Sequence, residues 1–277
     1  MKGFTLVELI LVILLIGILS AVGVVFIVPP FQAAVAIEQR ATLVDAVDSA
    51  MTRIGREARN ALPNSVRVHN DNDAGHVEFI TTRTGGRYRR LPAPGGGSQI
   101  LVPARSFGTF DVPGGIPDAG TIAARGPGTD CAAGNGDCVS VFNTMQPGFN
   151  AYDRQNIAAI TDATATSIGY HTGGAGPAFA THSPRQRFYV IDDVVSYVCN
   201  AAGELRRFSS YGLHSGVPPL GAGELAGELV AENITGCEFT YNPGTAARRG
   251  LLTMRIDMAR GGEQVFLIAQ AQVMNAP

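Results

Sequence analysis

A single carboxylate stands where hydrocarbon should begin. Glu8 immediately precedes Leu9–Val28, an unbroken run of apolar and small residues. An ionised acid at that boundary is costly unless a cation meets it, and the N–H groups of a helix's first turn compensate it only in part. A full positive charge can come from the backbone itself. Cutting the chain between Gly3 and Phe4 would create an α-amino group four residues before Glu8. In an assembly of parallel, staggered helices, that amine neutralises the glutamate of a neighbouring copy, and both charges leave water as a pair. These residues therefore offer charge pairing between chains rather than turnover.

The other reactive side chains offer little else. Lys2 is the only lysine, which removes P-loop nucleotide binding and Schiff-base chemistry from a folded portion. His69, His76, His171, His182 and His214 show no HExxH or other metal-ligand spacing, and no GxSxG elbow occurs. Asp192 and Asp193 are adjacent, so on a strand their carboxylates point to opposite faces and cannot share a proton. The stretch Asn70-Asp71-Asn72-Asp73-Ala74-Gly75 has the flavour of a calcium loop, but Thr82 stands where a distal glutamate is needed, and a solvated turn is expected. Arg83, Arg87, Arg89 and Arg90 surround Tyr88. The net charge of −2 lends no support to nucleic-acid binding, so a solvated strand or loop is expected. The Asn233-Ile-Thr triplet meets the glycosylation pattern, a weak match. No catalytic residue, metal or cofactor is expected.

Four cysteines remain, Cys131, Cys138, Cys199 and Cys237. In an exported domain they read as disulfides, and nearest-neighbour pairing is favoured among the three connectivities, with four reduced thiols as the alternative. Cys131–Cys138 would close a small loop and Cys199–Cys237 would join two strands.

Several elements must position these groups. At 1.5 Å per residue, Leu9–Val28 spans roughly 30 Å, the thickness of a bilayer core. Its single flanking lysine and the lack of a small-residue site after the run argue against a secretory signal peptide and for a single-pass anchor with an exported C-terminal portion. Pro29-Pro30 should kink or briefly break the helix. Helical patterning then resumes, with Val44, Val47, Met51, Ile54, Ala58 and Leu62 forming an apolar stripe that Pro63 ends. That stripe needs a cover, here the sheet of the chain's own head. Strands are expected at HVEFITTR (from His76) and QILVPAR (from Gln99). A hairpin is expected from RFYVIDDVVSYVC and ELRRFSSY, then a meander of CEFTY, LLTMRIDMA and EQVFLIAQAQVM. Residues 108–184, rich in Gly, Pro, Asp, Asn and Thr, read as long surface loops with a few small strands.

In order, Gly3-Phe4-Thr5-Leu6-Val7-Glu8 and the apolar run resemble the class III signal of type IV prepilins and type II secretion pseudopilins. The segment ENITGCEFTYNPGTAARRGLLTMRIDM, the ending VMNAP and the helix end ARNALPNSVRV are similar to the large minor pilins of mannose-sensitive haemagglutinin (MSHA) pilus systems. The resemblance covers the two ends of the chain and leaves about 85–184 unmatched. It implies cleavage after Gly3 and N-methylation of Phe4 by a prepilin peptidase, with Glu8 registering subunits as they enter a filament. Its partners would be that peptidase, the inner membrane before assembly, and other major and minor pilins through their N-terminal helices; nucleic acid is not expected.

The expected fold is α+β and type IV pilin-like. Residues 1–3 are a leader, 4–28 a transmembrane and filament-core helix, 29–62 an amphipathic helix, and 63–277 a β-rich periplasmic or extracellular head, loop-rich over about 85–184. The expected function is that of a minor pilin at or near a filament tip, or priming its assembly. The alternatives are a pseudopilin of a secretion system and an adhesive tip module.

Overall fold

The computed structural model describes residues 4–71, 74–125, 131, 136–173, 178–218, 220, 227–245 and 248–275. One helix, α1 (Leu6–Arg59), runs 54 residues out of an antiparallel β head, the α+β pilin-like layout expected. The chain then forms β1 (Arg67–Asp71), β2 (Ala74–Arg87), β3 (Phe107–Asp111), β4 (Cys138–Ser140), β5 (Ile157–Ala163), β6 (Ser167–His171), β7 (Arg187–Cys199) and β8 (Glu204–Ser209). It closes with β9 (Glu228–Glu232), β10 (Ile234–Asn242), β11 (Gly250–Arg260) and β12 (Glu263–Val273).

Of the kink or break expected at the prolines, the helix shows no break, and it ends earlier than expected. It passes through Pro29 and Pro30 without a break. Two neighbouring N–H donors are lost there, but the turns on either side keep the segment helical. It ends at Arg59, four residues before Pro63. Asn60 caps it, donating its N–H to the Glu57 and Ala58 carbonyls, and Ala61 bridges to Thr81. The packed stripe is Leu43, Val47, Ala50, Met51, Ile54 and Ala58. Val44 is only half-buried, and Leu62 lies beyond the helix in another cluster.

Two sheets share the head. β10, β11 and β12 form the expected meander, closed between β11 and β12 by Gly261-Gly262, both at positive φ as a two-residue hairpin requires. On β11, Leu252, Met254, Ile256 and Met258 are all buried and alternate with polar positions, so this face lies against α1. The larger sheet is built on β2 and β7. The N-terminal half of β7 pairs with β4 and leads to β5, β6 and β3, while its C-terminal half pairs with β8 and then β9. The sheet therefore forks into two lobes. One is a helix-facing core of α1, the meander, Phe79, Val195 and Tyr197. The other is a distal core of Tyr88, Phe110, Ile160, Tyr170, Phe179 and Phe188.

Residues 108–184 thus contain the few small strands expected, but these enclose a core of their own instead of decorating a surface. QILVPAR is not a strand. Leu101 donates to the Arg89 carbonyl, but Pro103 has no N–H to give and Ala104 sits at a φ of 62°, which no ladder tolerates. The strand lies a few residues later, as β3.

Candidate functional site

The N-terminus of α1 is built by one hydroxyl. Thr5 is the N-cap, in extended conformation, and its Oγ1 accepts the Glu8 N–H at 3.3 Å while its carbonyl accepts from Leu9 at 3.2 Å. This is half of a Thr-x-x-Glu capping box; in the full box the Glu side chain returns to the cap's own N–H. Here the Glu8 carboxylate makes no ion pair or hydrogen bond among the described residues. Thr5 does the capping, and no donor among the described residues meets the Glu8 oxygens. Gly3 lies outside the described residues, and Phe4 is 79% exposed at the start of the segment.

No residue from Leu9 to Val28 is buried, and α1 is the one described helix long and apolar enough to cross a membrane. From Leu43 onward the same helix is packed. Ion pairs rim the packed half. Arg40 binds Glu263, Arg53 donates to both Glu228 oxygens at 2.7 and 2.6 Å, and Arg207 donates to both Glu57 oxygens at 3.2 and 3.1 Å.

The cysteines pair as favoured. Cys131 bonds Cys138, and Cys199 bonds Cys237, with Cα separations of 6.1 and 6.4 Å. The second bond ties β7 of the large sheet to β10 of the meander. There the sheets approach so closely that a Cβ on Gly75 would lie 2.5 Å from the Cys237 carbonyl oxygen.

The arginine cluster around Tyr88 does not form a stacking surface. Tyr88 is 1% exposed, its hydroxyl accepting from the Ser183 N–H at 2.8 Å, and Arg83 is held by Asp137 at 2.9 Å. The calcium-like stretch is the β1–β2 hairpin, pairing Asp71 with Ala74; the side chains of residues 70–74 lie outside the described ones. Asp192 accepts from Thr81 Oγ1 and Asp193 from Ser210, so the two carboxylates do separate work.

Sequence spacing gave no sign of one buried polar cluster. Glu78, fully buried, takes Arg67 Nε at 2.9 Å and the Tyr211 hydroxyl at 2.9 Å. Tyr211 meets Ser196 Oγ at 2.7 Å, which meets His76 Nε2 at 2.8 Å. Burial, then electrostatic interaction with His69 and Arg67, pushes the His76 imidazole down to about 4. Burial and the Glu78 charge push the Tyr211 phenol far up. The serine–histidine contact resembles a nucleophile and its base only in composition, because Ser196 is fully buried and no substrate reaches it. It braces β2 against β7.

Neither a family model nor a curated protein nor a solved structure matches the chain. The Thr5 cap was also missed as a working part. Its signal was the Thr-x-x-Glu spacing. The residues of the buried cluster are far apart in sequence, and nothing local announces them.

Proposed function

We propose that this chain is a minor pilin, made as a precursor held in the inner membrane by the apolar half of α1 with its head in the periplasm. A prepilin peptidase cuts after Gly3 and methylates Phe4. The mature chain then enters an MSHA-type type IV pilus at or near its tip, or primes its assembly. One observation carries this reading. Glu8 sits in the first turn of a helix whose apolar first half has no buried residue, and among the described residues its own chain supplies the cap through Thr5 but no cation for the carboxylate. A lone anchor would leave that acid uncompensated at the lipid boundary. In a bundle of parallel helices, a neighbour's N-methylated amine, still cationic, neutralises it, and the exposed apolar side chains find one another.

Mass spectrometry of the native N-terminus tests the processing, with N-methylphenylalanine expected and an intact methionine in filament-borne protein overturning it. Glu8→Val should insert in the membrane and be cleaved, yet be absent from sheared filaments. Normal incorporation would show the charge to be dispensable. Gly3→Ser should leave uncleaved precursor in the membrane, and a mature-sized product would contradict the assigned cut.

A further inference from the structure

Arginines converge on one cleft in the head. It runs between the end of α1, the outer ends of β2 and β7, and the last residues of β12, with Met274 dividing it into two adjoining hollows. Arg59, Arg83, Arg87, Arg187 and Arg249 line it, and no described lining residue is acidic. The whole chain, by contrast, has 23 acids to 21 lysines and arginines. Arg83 is already neutralised by Asp137 and Asp192, and Arg187 directs Nη1 to Met274 Sδ at 3.8 Å. Arg59, Arg87 and Arg249 have no carboxylate partner among the described residues. Among the described residues, the one hydrogen bond of the Arg249 side chain is to the Gln272 amide oxygen, at 3.5 Å. Other arginines, such as Arg105, Arg154 and Arg260, also lack a described carboxylate partner, but these three are set apart by lining the same pair of adjoining hollows.

The chemistry between the charges narrows the anion. Amides of Asn60, Gln270 and Gln272 and hydroxyls of Thr82 and Thr84 line the same hollows as the guanidiniums, with Thr82 Oγ1 donating to the Asn60 carbonyl and Gln270 Nε2 to Thr253 Oγ1. This mix of donors and acceptors suits a ligand that carries hydroxyls between its charges. A nucleic-acid strand would need an open aromatic face for its bases. Phe188 is fully buried, and the Tyr189 ring packs against Gly85, where a Cβ would lie 3.0 Å from it. A lipid headgroup is out of reach. The 31 residues of helix between Val28 and Arg59 place the cleft about 46 Å beyond the end of the apolar run, at 1.5 Å per residue.

We propose that this cleft binds a carboxylated polysaccharide, a chain of uronic-acid units. Its carboxylates accept paired N–H···O bonds from Arg59, Arg87 and Arg249, and the amides and hydroxyls between them take the ring hydroxyls. The inference stands apart from the pilin reading, since binding is measured whether or not the chain assembles.

The test uses the full chain in non-ionic detergent, with a short galacturonate oligomer as probe in biolayer interferometry. Binding is expected, weakening as salt is raised and disappearing when the carboxyls are methyl-esterified. The triple change Arg59→Gln/Arg87→Gln/Arg249→Gln should weaken it by roughly tenfold or more. Arg105→Gln/Arg154→Gln/Arg260→Gln, which removes equal charge elsewhere, should leave it unchanged. No binding to the oligomer overturns the proposal, as does equal binding of the methyl ester, an assay that needs no variant. Equal loss in the two triple variants overturns the location. Single-stranded DNA binding as tightly as galacturonate at the same salt overturns the ligand class.

Discussion

The two halves of α1 are one continuous helix under opposite conditions. Between Leu9 and Val28 every apolar side chain is left to whatever lies outside the chain, whereas from Leu43 to Ala58 a stripe of the same kind of residue is covered by the chain's own sheets. The first half carries one charge, Glu8, with no partner among the described residues; the second carries Arg40, Arg53 and Glu57, each paired across to the head. Hydrophobicity alone therefore does not tell an anchor from a core. What separates them is where the compensating surface and the compensating charge are found. One half is completed within the molecule, and the other leaves its apolar surface and its charge uncovered by the described residues.

Substitution should separate the halves most sharply. Ile54 is fully buried in the helix-facing core, and Ile13 is 62% exposed. Ile54→Ala removes buried methyl groups and leaves a cavity, so the head should lose about 3 kcal/mol of stability. Ile13→Ala should leave head stability unchanged within about 0.5 kcal/mol. Urea unfolding of the full chain in non-ionic detergent, followed by the near-ultraviolet tyrosine signal, reads both. Equal losses would mean that the first half also packs on the head in solution.

A second contrast is in pH. In the helix-facing lobe His76 is held neutral, its pKa down at about 4 against an ordinary 6.5. The unfolded chain binds a proton between those values and the folded one does not, so stability is full above about 6.5 and falls as pH drops toward 4. The loss through this group should be at most about 3 kcal/mol, at 1.36 kcal/mol per pKa unit. His76→Gln should flatten that part of the pH profile while costing some stability at neutral pH. An unchanged slope would place the titrating group elsewhere. Residues 4–28 contain no histidine, so membrane attachment should not share this dependence.

The same division governs what the sequence disclosed. The apolar run, the amphipathic stripe and the C-terminal meander are periodic, and periodicity reports burial when one face meets one partner. β11 alternates because one side faces α1 and the other faces water. The distal lobe hides itself. β4 has three residues, all buried, and β5 reads Ile-Ala-Ala-Ile-Thr with four consecutive buried positions, so neither alternates. β4 is placed by pairing with β7, about fifty residues away, and β5 by pairing with β4. At the N-terminus the residue order pointed to Glu8, but only geometry assigned the cap to Thr5 and left the carboxylate unused among the described residues. The Glu78 cluster and the arginine cleft join residues from the end of α1 to the last strand, and no window of sequence contains either.

The smallest effect belongs to the ion pairs that rim the packed half, and it tests whether they hold the helix or only decorate it. Arg53 makes a two-pronged contact with Glu228, which raises its pKa and lowers that of Glu228. Those shifts imply strong attraction, but the side chains are 38% and 53% exposed, and solvent screens most of it. Glu57 complicates the pair, lying 3.6 Å from Arg53 while also accepting from Arg207. Removing Arg53 therefore leaves Glu57 bonded to Arg207, but leaves Glu228 with no described hydrogen bond and only the nearby Arg207 charge. A double-mutant cycle of Arg53→Gln and Glu228→Gln should give a coupling of about 0.5 kcal/mol, shrinking as salt is raised. A coupling several times larger, insensitive to salt, would mean that β9 is clamped to α1 by charge. The packed half would then depend on its rim as well as on its apolar stripe.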